Sequence, residues 1–244
     1  MVSVCLASYN GEDFIKDQIV SILNQLHPED ELIISDDGSN DHTIAIIMSF
    51  ADPRIKFFPH TSSGRPTENF EHALEQARGE FIFLSDQDDI WLKNKYDHML
   101  SLLHTNDLVL SNSTLVDEHL EVINPSFFKF HNSRKGIVRN VIKNSYFGSC
   151  MAFRRELLSF ALPFPSSKEI GHDVWLGLVA EMTGKVYLTD EPLILYRRHS
   201  SAVTAHGMGK SKRSLFVKLF GRVIMFKYVC AFYCKFLLNK WKKD

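Results

Sequence analysis

Short apolar runs alternate with helix-patterned segments through the first 117 residues, an order that few folds accept. Residues 2–7 form the first run. Residues 12–25 follow, with Ile15, Ile19, Ile22, Leu23 and Leu26 on one helical face. Residues 32–35 read as a second strand, 43–50 as a helix with Asp41 at its N-cap, and 55–58 as a third strand. A helix over 66–77 places Phe70, Ala73, Leu74 and Ala77 in register. Residues 81–84 are wholly apolar, 92–104 are helical, and 108–110 open another strand. Strands this apolar need cover on both sides. The pattern therefore predicts an α/β fold, a mostly parallel central sheet with helices on both faces.

The second half is less regular. Residues 124–145 are polar and basic apart from Phe127, Phe128 and Phe130, and read as a loop or insertion. Residues 146–153, 186–188 and 193–196 read as strands, and 172–182 as a helix. A Gly/Ser/Lys linker over 206–214 is the best boundary in the chain, dividing a main domain over 1–205 from a tail over 206–244. The 244 residues are enough for one sizeable core with an appendage.

Charge sharpens that division. The formal net charge is −1. Residues 1–206 carry 18 Lys/Arg against 28 Asp/Glu, and residues 207–244 carry 10 Lys/Arg against the single acid Asp244. The body stands at −10 and the tail at +9. As one helix, residues 214–241 would reach about 42 Å. Lys218, Arg222 and Lys240 fall on one side and Lys227 nearly opposite. Two readings are open: helices packed on the body with lysine stems reaching out, or an interfacial helix on anionic lipid. The mixture of aromatics and bases favours the lipid surface, while the acidic body disfavours a nucleic-acid partner. No secretory leader or spanning segment is recognisable, and Cys5, Cys150, Cys230 and Cys234 make no zinc spacing or disulfide framework. The expected setting is a reducing cytoplasm, at the inner face of the membrane.

Parallel α/β sheets bind ligands at the carboxyl ends of their strands, and polar residues gather there in this chain. Ala7-Ser8-Tyr9-Asn10-Gly11 follows the first strand, where a planar base can lie against Tyr9. Asp36-Asp37-Gly38-Ser39 follows the second. Asp37 can accept an imide N–H from uracil or thymine, and the same four residues also suit an ordinary turn. Asp86-Gln87-Asp88-Asp89 packs three carboxylates into four residues. A divalent cation, Mg²⁺ or Mn²⁺, relieves that repulsion and helps a diphosphate to leave; a solvated helix N-terminus is the alternative. Asp173 opens a helix, as a general base or as a first-turn acid. In Tyr196-Arg197-Arg198-His199 the histidine can be a third metal ligand or a structural residue, and the arginines can face phosphates. Gly207-Met208-Gly209-Lys210-Ser211 is no P-loop, because Thr204 stands where its first glycine belongs.

In this order, Ser8-Tyr9-Asn10, Asp36-Asp37-Gly38-Ser39, Ser85-Asp86-Gln87-Asp88-Asp89-Ile90-Trp91, Gly171-His172-Asp173 and Tyr196-Arg197-Arg198-His199 resemble the family 2 glycosyltransferases of the GT-A fold, over about residues 2–200. The Asp-Gln-Asp-Asp-x-Trp form is similar to bacterial enzymes of O-antigen and capsule synthesis, rhamnosyltransferases and hexosyltransferases among them. The resemblance implies a UDP- or dTDP-sugar donor. It assigns base binding to Ala7, Tyr9 and Asp37, donor and metal contact to Asp86 and Asp88 with Asp89 adjacent, the catalytic base to Asp173, and a metal-supporting position to His199. It also implies inverting transfer to an acceptor hydroxyl, and the membrane reading of the tail suits a saccharide acceptor carried on a lipid diphosphate. Lys93 replaces a frequent Pro, and Ser200-Ser201 replaces an expected Asn. Two other functions fit an α/β nucleotide site: a nucleotide-sugar pyrophosphorylase, and a non-catalytic membrane-associated binding module. The first would want a Gly-rich N-terminal loop with Arg and Lys, which residues 7–11 lack.

Overall fold

A computed structural model describes residues 1–61, 63–199 and 214–241. The predicted alternation is present as β1 (Val2–Ser8), α1 (Ile15–Leu23), β2 (Glu31–Asp36), α2 (Thr43–Met48), β3 (Ile55–Pro59), α3 (Pro66–Gln76), β4 (Phe81–Asp86) and α4 (Lys95–Leu103), with a two-residue strand β5 (Ile90–Trp91) before α4. Then come β6 (Leu108–Val116), β7 (Val122–Asn124), α5 (Phe127–His131), α6 (Ile137–Ile142), β8 (Met151–Arg154), α7 (Leu158–Ala161), α8 (His172–Thr183), β9 (Val186–Arg197) and α9 (Leu215–Trp241).

These strands form one sheet in the order β3-β2-β1-β4-β8-β6-β9-β5, with β7 on β6. β1, β2, β3 and β4 are mutually parallel, and β6 and β9 run the same way; β8, β5 and β7 run against them. Side chains of a strand alternate between faces, so each face carries its own core. Val4, Leu6, Leu32, Ile34 and Phe83 meet α1, α2 and α4 through Ile15, Ile19, Ile47, Tyr96 and Met99. Cys5, Ile33, Ile82 and Leu84 meet α3 and α8 through Phe70, Leu74, Trp175 and Leu178. Helices thus cover both faces, as predicted.

Several expectations are corrected. Residues 124–145 are no free loop. Ser126 Oγ accepts the Lys129 N–H at the start of α5, and Phe127 and Phe128 are buried, Phe127 edge-on to Phe147 at 4.7 Å. The two strands expected over 186–196 are one. Pro192 is accommodated where the β6–β9 register shifts, so the missing N–H interrupts no regular ladder. Residues 148–150 are a 3-10 turn, and only β8 is extended. α4 starts at Lys95 because β5 takes Ile90 and Trp91 to pair with β9.

The tail is a single 27-residue helix. Its Tyr228 and Phe232 rings lie 6.4 and 5.7 Å from Trp175, and Phe236 lies 5.8 Å from Phe160. Side chains of this size each contribute roughly 1.5–3 kcal/mol when fully buried. Among the described residues no helix is long and apolar enough to cross a membrane. The linker expected over 206–214 falls outside the described residues except for Ser214.

Candidate active site

Six strands pointing one way deliver their carboxyl ends to one rim. Ser8 pairs with Asp36, and Ala7 sits between Ser35 and Asp86, half-buried. β9 brings Arg197 and His199 to the same rim. β8 runs the other way, so the turn that precedes it arrives there too, and Gly148 lies against His172 and Asp173 at the start of α8.

The acids at the end of β2 are densely bonded. Asp36 accepts the Gly38 and Ser39 N–H groups at 3.1 and 2.8 Å and the Ser8 and Ser39 hydroxyls at 2.8 and 2.6 Å. It closes the turn and ties β1 to β2. Asp37 is buried, and its carboxylate accepts the Ser63 and Gly64 N–H groups at 2.8 and 2.9 Å, with His60 Nδ1 at 2.9 Å. Gly64 has φ +65°, which its lack of a Cβ permits. Both readings of residues 36–39 therefore have a counterpart: Asp36 makes the turn, and Asp37 anchors the loop over 60–64.

Tyr9 is 45% exposed beside this rim. The Gln87 amide brackets its backbone, accepting the Tyr9 N–H and donating to its carbonyl, both at 2.9 Å. A side chain at Gly11 would overlap that amide. Sequence reasoning missed Gln87. It couples the Tyr9 loop to the acid loop, and only its place between two aspartates marks it.

The acids at the end of β4 are differently placed. Asp88 Oδ2 meets His199 Nε2 at 2.8 Å, and the His199 ring packs on Phe14 at 4.4 Å. Asp89 is fully buried. Its Oδ1 accepts the Arg197 N–H at 3.0 Å, and its Oδ2 has no hydrogen-bond partner among the described residues. Burial, followed by the charges of Asp88 and Asp86, pushes the Asp89 carboxyl well above its ordinary range. Asp86 is pushed up to about 7 by burial and by the charges of Asp88 and Asp173. The Arg197 guanidinium lies over Phe14, 4.8 Å from the ring, and 3.9 Å from Asp17.

Lys95 was also missed. It is fully buried, donates to the Ser149 carbonyl at 2.8 Å, and lies over Trp91. Burial pulls its ammonium down to about 8, while Asp89 and Asp86 act the other way. Its signal was a lysine on the apolar face of α4, in line with Met99 and Leu103.

Asp173 stands across the rim in the first turn of α8. Oδ1 accepts the Val174 N–H at 2.7 Å and Oδ2 accepts from Asn144 at 3.4 Å. Burial outweighs these bonds and raises its carboxyl to about 6. His172 stacks on Phe70 at 4.1 Å, and burial lowers its imidazole to about 3. Among the described residues no three acid, His or Cys side chains are already arranged around one point as a cation site. The chemistry of the donors nevertheless fits a divalent cation: Asp86, Asp88 and His199 share one rim, and burial followed by the Asp88 and Asp173 charges raises the Asp86 carboxyl.

A parallel sheet with this acid rim belongs to the GT-A type. S. aureus TarS (residues 1-349) in complex with UDP-GlcNAc superposes with a TM-score of 0.68 at 20% identity, over 97% of this chain and 71% of that one. Two other TarS 1-349 structures are matched over only 60% of their length. The Pyrobaculum calidifontis mannosyltransferase PcManGT, solved with GDP-Man and Mn²⁺, gives a TM-score of 0.59 at 20% identity, over 84% of this chain and 58% of that one. The family model for glycosyl transferase family 2 matches residues 3–160, and the chain belongs to that family. The Escherichia coli enzyme WfgD, a UDP-Glc:α-D-GlcNAc-diphosphoundecaprenol β-1,3-glucosyltransferase, is 28% identical over 217 residues, 87% of this chain and 83% of WfgD.

Proposed function

We propose that this glycosyltransferase moves a hexosyl or rhamnosyl group, with inversion, from a UDP- or dTDP-sugar to a saccharide carried on a lipid diphosphate, in bacterial surface polysaccharide synthesis. The observation that carries the reading is the opposition of two acid groups across one rim: the crowded Asp86, Asp88 and Asp89 on one side, and the raised, lightly bonded Asp173 on the other. The donor and acceptor named for WfgD support the substrate classes.

In this reading Tyr9 stacks on the base, while Ala7 and Asp37 shape its pocket. Asp37 Oδ2, which has fewer partners than Oδ1, receives the imide N–H. Asp86 and Asp88, with His199, would hold Mn²⁺ or Mg²⁺, and Asp89 steadies the end of β9 through the Arg197 amide. A bound cation supplies positive charge beside the departing diphosphate. Asp173 takes the proton from the acceptor hydroxyl as that oxygen attacks the anomeric carbon. A base of this kind contributes typically 10²–10⁴-fold to rate.

The helix α9 fits a protein seated on the inner face of an anionic membrane. Its inner side packs on the body through Ile224, Met225, Tyr228 and Phe232. At 3.6 residues per turn, its outer side presents Phe216, Leu219, Val223, Phe226, Leu237 and Trp241 as one exposed stripe. Arg222 and Lys240 border one edge of that stripe, and Lys227 the other. The two sequence readings of the tail are thus compatible, one for each side of the helix.

A panel of UDP- and dTDP-sugars, assayed with Mn²⁺ and a polyprenyl-diphosphate-linked acceptor, tests the reading, with the product linkage read by NMR. One donor should give a product whose anomeric configuration is opposite to its own. Retained configuration would overturn the mechanism. Donor binding with neither transfer nor hydrolysis would turn the assignment toward a binding module, and pyrophosphate-dependent NTP formation toward a pyrophosphorylase.

A further inference from the structure

The stretch from Val122 to Cys150 contains no Asp or Glu and five bases: Lys129, Arg134, Lys135, Arg139 and Lys143. The body around it is strongly acidic, so this is a local reversal of charge. None of the five makes an ion pair among the described residues. Lys135 and Lys143 donate to the carbonyls of Val186 and His131 at 3.3 and 2.5 Å, and Arg139 donates to the Asn132 carbonyl. Apolar side chains are interleaved with these bases on the outside. Val138 is 73% exposed, Ile142 55% and Phe130 45%. The inner side of α6 is conventional, since Ile137 and Val141 join the core that also receives Ile224, Met225 and Tyr228 of α9. α6 packs against α9, so the two exposed apolar surfaces belong to neighbouring helices. Asn144, just beyond α6, donates to Asp173.

We propose that α5 and α6 form a second membrane-contacting element, seating with α9 on one anionic bilayer surface. The charge is complementary to acidic headgroups, and Val138, Ile142 and Phe130 suit the headgroup–acyl boundary; a nucleic acid would have no use for them. The consequence is positional. The membrane edge reaches Asn144 and therefore Asp173, so an acceptor hydroxyl on a lipid diphosphate meets the base without leaving the surface. This rests on the membrane reading of α9, and the test separates the two.

The test is co-sedimentation of the full chain with vesicles of phosphatidylethanolamine and phosphatidylglycerol, and with phosphatidylcholine vesicles. One variant carries Val138→Ser, Ile142→Ser and Lys143→Ser; a second carries Leu219→Ser and Phe226→Ser. UDP binding by calorimetry, equal to wild type in both, confirms folding. The α6 variant should lose about tenfold or more in partition to the anionic vesicles, a loss that shrinks in high salt. Wild-type partition by the α6 variant, with loss only in the α9 variant, would overturn this inference and leave the α9 reading intact. Loss only in the α6 variant would uphold the inference and overturn the α9 reading. Equal wild-type binding to both vesicle types would overturn the charge argument. A chain that ignores vesicles and is retained by RNA would overturn both.

Discussion

Two acid clusters end two parallel strands of the same sheet, and they differ in how their charge is met. At the end of β2, Asp36 has four donors and Asp37 is held by the loop over 60–64. At the end of β4, one Asp89 carboxylate oxygen has no hydrogen-bond donor among the described residues, and burial with like charges raises both Asp86 and Asp89. A carboxylate surrounded by N–H and O–H donors is a brace, and replacing it disturbs the fold. A crowded carboxylate with few donors is unstable as an anion until positive charge approaches, which suits it to a nucleoside diphosphate and its cation. The same residue type, at equivalent strand ends, is thus held in two different ways.

Substitutions can break this contrast. The largest effect is expected at the β4 rim, where Asp88→Ala should lower transfer about 100-fold or more and weaken UDP binding in Mn²⁺. Unchanged calorimetric binding in Mn²⁺ would remove Asp88 from the donor site. At the β2 rim Asp36→Ala should act on stability. It leaves the buried Ser8 hydroxyl only the Ser35 carbonyl at 3.4 Å and removes the acceptor of the turn N–H groups, so urea unfolding should report a loss of roughly 2 kcal/mol. A loss below about 0.5 kcal/mol would make Asp36 no brace.

The pH profile sharpens the comparison. Asp173 has to be ionised to accept a proton, and its carboxyl is raised to about 6. With saturating Mn²⁺ holding Asp86 ionised, the rate should be flat above about pH 7, half-maximal near pH 6 and roughly one tenth at pH 5. An acid limb centred near 4 would show that burial does not act on this group as described. The smallest effect is expected at Gly11, whose close approach lets Gln87 clasp the Tyr9 backbone. Gly11→Ala should raise the donor KM a few-fold, about 1 kcal/mol, and change kcat less. A change in kcat alone would place the clasp in the chemical step.

Much of the parallel half was legible because each strand is short, apolar and closed by turn-forming polar residues. The place of β8 between β4 and β6 was not, since antiparallel pairing with distant strands leaves no local pattern. α5 and α6 were hidden for a different reason: both are short, α5 is anchored by the adjacent Phe127 and Phe128, and α6 offers only Ile137 and Val141 as an apolar stripe. At the site, the ordered motifs singled out Asp86, Asp88, Asp89, Asp173 and His199 as candidates, and the fold brings Asp88 to His199 across 111 residues of chain. Lys95 was readable in principle, as a cation on a core face. Gln87 was not, because its partner is a backbone that only the fold brings near.

The most direct test of the account is Asp173→Asn, followed in one preparation by UDP titration and by transfer to the lipid-linked acceptor. The substitution keeps the size of the side chain and its acceptor oxygen for the Val174 N–H, and removes the basicity together with the long 3.4 Å bond from Asn144. The account predicts UDP affinity within about twofold of wild type and transfer reduced at least 100-fold. Transfer at the wild-type rate would contradict it.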